Sequence, residues 1–193
     1  QFTGIERVHY TAPHPIFMTD EVIDALTLPK QVNFLHLPGQ SGNDKVLQRM
    51  NRRHNREFYL ETVKKVRIKK PDIALGTDII VGFCGETAEQ FDDTVSLYQE
   101  CDFDISYTAK YSARTGTLAH KAFVDDVPRE EKERRWWILQ RLMEETARLK
   151  NQKYVGRIVS VLVDNSDGLW CTGNSREMKR TRFKGGKELI GKI

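Results

Sequence analysis

The chain has 193 residues, 39% hydrophobic and 30% charged, which is ordinary for a soluble globular protein of one domain or a domain plus a small module. No apolar run approaches the roughly 20 residues that span a bilayer, and no cationic start leads into an apolar signal core. The formal net charge of +4 and pI near 8.9 permit a nucleic-acid partner without requiring one.

The first predicted strand covers residues 5–10, followed by a short helix over 20–26 and a second strand over 32–37. Helices over 43–50 and 56–69 come next, with Asn55 as N-cap of the second. Tyr59, Val63 and Val66 share one face of it. Ile79, Ile80 and Val81 are consecutive β-branched residues and read as the end of a third strand, over 73–81, buried on both faces. Gly82 and Gly85 bracket a sharp turn in which the backbone approaches a neighbour closely. Thr87 and Gln90 form a capping box that opens a helix over 88–99. A fourth strand covers 105–111. Alternation of strand and helix implies a parallel sheet, whose ligands gather at the C-terminal strand ends.

A long helix is expected over 128–153, with Leu139, Leu142, Thr146 and Leu149 packing on the sheet. Arg134, Arg135, Arg141 and Arg148 are expected on its solvated side. Beyond Gly156 the pattern changes to short strands over 158–163, 169–172 and 181–183, the beginning of a small β-barrel. Gln1 is not Met and Ile193 falls inside an apparent strand, so the chain is expected to be a segment of a longer protein. Cys84, Cys101 and Cys171 are too far apart for a Cys-x-x-Cys metal cluster, and an odd count suits a reducing cytoplasm. No metal site is expected: His14 and His36 read as hydrogen-bonded structural histidines.

Four strand-end motifs, in order, resemble the radical S-adenosylmethionine methylthiotransferases. They are Thr11-Ala-Pro-His-Pro15, Phe34-Leu-His-Leu-Pro-Gly-Gln-Ser-Gly42, Thr77-Asp-Ile-Ile-Val-Gly-Phe-Cys-Gly-Glu-Thr87 and Tyr111-Ser-Ala-Arg-Thr-Gly-Thr117. The resemblance implies an α/β fold: part of a parallel, TIM-like βα barrel over residues 1–153, then a truncated TRAM-like RNA-binding β-barrel over 154–193. Phe103-Asp-Ile-Ser-Tyr107 and Val124-Asp-Asp-Val127 bring it nearest the tRNA enzymes that methylthiolate isopentenyladenosine beside the anticodon. Sister enzymes act on threonylcarbamoyladenosine or on a ribosomal protein; a non-catalytic RNA-binding fragment is the rival from another class.

The resemblance implies S-adenosyl-L-methionine contacts at Gln40, Ser41, Gly42, Ile80, Gly82, Tyr111 and Ser112. Asp78, a lone acid in an apolar strand, either meets ligand or a barrel arginine. Arg176, Lys179, Arg180, Arg182 and Lys184, with Glu177 and Glu188 the only acids close in sequence, are expected to hold tRNA phosphates. The family also implies two 4Fe–4S clusters and an electron donor, with the cluster cysteines expected upstream of this chain. The catalytic residues are left unassigned, and a membrane partner is not expected. Cys84 and Thr115 stand where the family commonly has Pro, Pro13 where it has Ser, and Gly39 where it has a β-branched residue.

Overall fold

The computed structural model describes residues 4–193. Its first half is built on a parallel sheet in the order β1 (Phe34–His36), β2 (Ala74–Val81), β3 (Ile105–Lys110). Register pairs His36 with Gly76 and Asp78 with Tyr107. The crossover from β1 to β2 carries α2 (Asp44–Arg49) and α3 (Arg56–Lys69), and that from β2 to β3 carries α4 (Ala88–Cys101). A shorter α1 (Asp20–Ala25) precedes β1.

Local chemistry sets the helix starts. Asn43 and Asn55 accept hydrogen bonds from the first-turn amides of α2 and α3. Thr87 and Gln90 close the capping box of α4, and Asp102 ends that helix in the left-handed region at φ 49°.

Alternation along the strands divides the sheet into two faces. Leu35, Leu37, Leu75, Ile79 and Val81 point to the helices and pack with Tyr59, Val66, Phe91, Leu97 and Tyr98 in the main core. Each such fully buried apolar side chain contributes about 1.5–3 kcal/mol by transfer from water. Phe34, His36, Gly76, Asp78, Ile80, Ile105 and Tyr107 lie on the other, concave face.

The expected strand over 5–10 forms only isolated parallel bridges, Val8 to Gln31 and Thr11 to His36. Ile5, Val8 and Tyr10 remain exposed, so little apolar burial holds the segment in a longer ladder. A short helix that the sequence did not announce, α5 (Leu118–Ala122), lies between β3 and the long helix.

The long helix, α6 (Arg129–Gln152), buries Leu139, with Trp136, Leu142 and Met143 partly covered, and Trp136 Nε1 donates to Thr108 O at 2.7 Å. Leu149, expected in the packed stripe, is half exposed. Arg135, expected on the solvated side, is buried, as are Lys132 and Lys150. The helix thus presents an apolar middle flanked by three buried cations, each paired as described below.

The tail is an antiparallel sheet of β4 (Val161–Ser166), β5 (Trp170–Ser175) and β6 (Arg180–Lys184), with a bulge between Val163 and Asn165. It is open, with β4 and β6 as its edges. The tail meets the first half along polar contacts. Asn33 N–H donates to Arg176 O at 2.7 Å, and the Arg176 guanidinium reaches the carbonyls of Pro29 and Gln31. Arg7 donates to Asn174 O at 2.9 Å. Lys179 Nζ lies 3.1 Å from Asp104 Oδ1, while Lys150 Nζ takes Asp104 Oδ2 at 3.2 Å. Met178, left-handed at φ 58°, rests against the small apolar cluster of Val32, Phe34 and Ala74.

Candidate functional site

The concave face of β1–β3 opens into a cleft of about 1090 Å³ whose lining includes His36, Asp78, Tyr107, Met143, Lys179 and Thr181. A cleft of this size bounded by a sheet face, a helix and a second module suits a ligand of nucleotide size. On its floor His36 Nε2 lies 3.0 Å from Asp78 Oδ1. Asp78 therefore meets a histidine, not the arginine held open from sequence, and its side chain stays 40% exposed. Gly76 makes room for this pair: a Cβ there would lie 2.7 Å from Phe34 Cζ and 2.9 Å from His36 Nδ1. Arg52 stands near enough to feel the Asp78 charge, although burial lowers the guanidinium's pKa overall. His14 and His54 stack edge-to-face at 5.4 Å, and burial lowers both of their pKa values.

The residues expected at the cofactor divide by geometry. Ile80 is half-buried on the concave face near the C-terminal end of β2. Gln40, at φ 69°, continues the ladder past β1: its N–H donates to Asp78 O and its carbonyl accepts from Ile80 N–H. Ser41 and Gly42 turn to α4. The Ser41 hydroxyl lies 3.3 Å from Thr94 Oγ1, and Gly42 N–H donates to the same oxygen at 2.9 Å. A Cβ at Gly42 would lie 2.4 Å from Asp93 O and 2.6 Å from Thr94 Cα, both backbone. Gly42→Ala is therefore expected to cost about 1–3 kcal/mol or more, since backbone must shift to admit it. A urea midpoint equal to wild type would show that the contact is not tight.

The turn after β2 is held from several directions. Gly82, at φ 70°, donates its N–H to Glu86 Oε2 at 2.6 Å. Gly85 N–H donates to Asp126 Oδ1 at 2.6 Å, and Glu86 N–H to Phe83 O at 2.9 Å. These amides are spoken for inside the protein. What Gly82 admits is Lys132, whose Cγ would lie 2.3 Å from a Cβ at that position. Lys132 Nζ then pairs with Asp125 at 2.5 Å and donates to Tyr111 O at 3.2 Å. The Tyr111 ring packs edge-on against Phe83 at 4.7 Å, and Ser112 is exposed beside it.

Two residues important to this turn are given no such role from sequence: Glu86 is only part of a motif, and Arg135 is expected on a solvated face. Glu86 is fully buried and Arg135 is 5% exposed at the side chain; their closest atoms are 2.7 Å apart. Arg135 also donates to Glu86 O at 3.0 Å and to Glu131 at 2.7 Å, and lies over the Phe91 ring. Burial raises the Glu86 pKa, while the Gly82 amide and Arg135 pull it back. Arg134 and Arg135 hold the Glu131 carboxyl down at about 2. The only sequence signal was a glutamate inside the glycine turn.

The five basic tail residues also separate. Arg176 and Lys179 are taken up in seating the tail. Arg180 pairs with Asp164 and donates to Thr172 Oγ1. Arg182 lies over the Trp170 ring at 4.6 Å, and Lys184 is exposed at the edge of β6. The three cysteines are buried and free, and burial pushes the Cys101 thiol up to about 12. Among the described residues, no group of His, Cys, Asp or Glu is arranged to hold a metal ion. No helix among them is long and apolar enough to cross a membrane.

A family model for the radical SAM superfamily matches residues 2–98, about half of the chain. The chain belongs to that superfamily. It is 42% identical over 194 residues to the tRNA-2-methylthio-N(6)-dimethylallyladenosine synthase of Clostridium botulinum (strain Okra / Type B1), covering 98% of this chain and 43% of that protein. Identity to the synthase of the same name from Geobacillus thermodenitrificans is 44%, over 98% of this chain and 37% of the relative. The chain therefore spans well under half the length of these curated relatives. Among solved structures it is similar to coproporphyrinogen III oxidase from Escherichia coli, described as a radical SAM enzyme, with TM-score 0.61, 20% identity and 72% of this chain covered against 32% of the other. That likeness concerns the fold alone.

Proposed function

We propose that this chain is part of a tRNA methylthiotransferase that places a methylthio group on isopentenyladenosine beside the anticodon. Identity of 42% along 98% of the chain to a synthase named for that product carries the reading. The cleft between a concave sheet face and a basic tail supports it.

Residues 1–153 would supply the C-terminal part of the βα barrel and residues 154–193 the start of a TRAM-like RNA-holding module, in a cytoplasmic enzyme supplied by an electron donor. S-adenosylmethionine and the two 4Fe–4S clusters that the resemblance implies would supply the radical chemistry when bound. The residues present fit the cofactor in part: Ile80 offers an apolar side chain near the C-terminal end of β2, with Gln40 bonded to its backbone. Ser41 and Gly42 fit less well because α4 occupies them. The cysteines do not fit a cluster, so its ligands would come from outside this chain.

Nucleoside mass spectrometry of tRNA from a strain lacking the gene is the direct test. Loss of the 2-methylthio derivative of isopentenyladenosine is expected. Loss of the threonylcarbamoyladenosine derivative instead, or of a ribosomal-protein modification, would replace the reading.

Of the tail residues, Arg182 and Lys184 are the ones expected to meet phosphate. Changing both to Ala in the full-length protein should flatten the salt dependence of tRNA binding by roughly one unit of slope per lost contact. An unchanged slope would mean that these cations are only solvated.

A further inference from the structure

We infer that Asp78 and Tyr107 form the base-reading floor of the cleft, with Asp78 accepting an N–H from the exocyclic amine of an unpaired purine and Tyr107 stacking on its ring. This rests on the tRNA reading above and names the part of the site that would recognise the target base.

The argument starts from register. Asp78 and Tyr107 are direct neighbours on β2 and β3, on the concave face. Tyr107 is a large aromatic left 60% exposed in the lining of the cleft, beside the Asp78 carboxylate. An exposed aromatic beside a carboxylate provides both things a base offers contact for, a π-face and an N–H edge. Asp78 is pre-oriented: its Oδ1 meets His36 Nε2 at 3.0 Å, and the His36 ring lies 5.7 Å from that of Tyr107. A carboxylate has no proton to give, so the hydrogen in that contact sits on His36 Nε2. The arrangement leaves the 40% exposed carboxylate facing the cleft as an acceptor. Opposite it the lining includes Arg157, together with Lys179 and Arg180, whose charges are already met by Asp104 and Asp164. An isopentenyl-substituted adenine still carries one exocyclic N–H.

The rival occupant is the cationic end of S-adenosylmethionine, which an aspartate would also hold. The Asn variant separates the two. With His36 claiming the amide oxygen, Asp78→Asn turns its NH₂ to the cleft and meets the base N–H donor to donor.

The experiment uses the full-length protein and two anticodon stem-loop RNAs, one with isopentenyladenosine at the target position and one with purine riboside, which lacks the exocyclic amine. The wild type should bind the purine riboside RNA about tenfold more weakly. Asp78→Asn should bind both RNAs alike, within about twofold, with S-adenosylmethionine affinity by calorimetry unchanged. Tyr107→Leu, at an exposed position that does not threaten folding, should weaken both RNAs about tenfold. Discrimination by Asp78→Asn equal to wild type overturns the assignment. So does lost cofactor affinity with RNA discrimination intact, or wild-type RNA affinity in Tyr107→Leu. Failure of the wild type to bind either RNA overturns the tRNA reading itself, and this assignment with it.

Discussion

Replacing Arg135 by Met is expected to destabilise the protein by about 3–5 kcal/mol at neutral pH, the usual cost of leaving a buried charge without its partner. The stranded charge is Glu86, fully buried, with Gly82 N–H as its remaining donor. The pH dependence follows from the direction of its pKa. Burial already raises it above the ordinary 4.5, and removing Arg135 raises it further. A carboxyl whose folded-state pKa is raised weakens the fold above its unfolded pKa, and the cost disappears as pH falls and the folded state takes up the proton. The deficit of Arg135→Met should therefore be largest at about pH 7 and partly recovered at about pH 5. Adding Glu86→Gln keeps an acceptor for Gly82 N–H, removes the charge, and should restore much of the loss at neutral pH. Urea unfolding of the single and double variants at both pH values decides it. An equal deficit at both, with no rescue, would mean that Arg135 acts only by packing on Phe91.

The second large effect is all-or-none. Anaerobic incubation of the 193-residue chain with iron and sulfide is expected to yield no stable 4Fe–4S absorption and no 5′-deoxyadenosine from S-adenosylmethionine. Ligation needs thiolates that can converge. Cys84 packs with Val46 and Phe83, Cys101 is buried at the end of α4 with its thiol pushed up to about 12, and Cys171 donates to Gly186 O in the tail. Cluster absorption that survives gel filtration would show that these cysteines do converge as ligands.

What could be read from sequence follows the range of the interaction. Asn43, Asn55 and the Thr87–Gln90 box act within one turn, so the helices they open were legible to within a residue or two. The β-branched run at 79–81 marks the strand, but only Ile79 and Val81 are fully buried; Ile80 is half-buried on the face that opens into the cleft. The parallel sheet and the superfamily were legible through ordered strand-end motifs. The ion pairs were not. Arg135 looks like its solvated neighbours on α6 until α4 and the glycine turn close over it. Asp104 and Asp164, which meet Lys179 and Arg180, lie far outside the window in which the tail's acids were counted. His36 and Asp78 meet because a parallel register brings adjacent strands together, with Gly76 leaving the space.

The seam between tail and sheet has a further consequence. It consists of directional bonds through Arg7, Asn33, Arg176 and Lys179, with Met178 as its apolar plug. Exposed hydrogen bonds specify an angle well but give little net adhesion, because water replaces them when surfaces part, so the largely buried Lys179–Asp104 pair is the contact that holds the seam most firmly. The seam behaves as an alignment joint: it sets the orientation in which the tail faces the sheet.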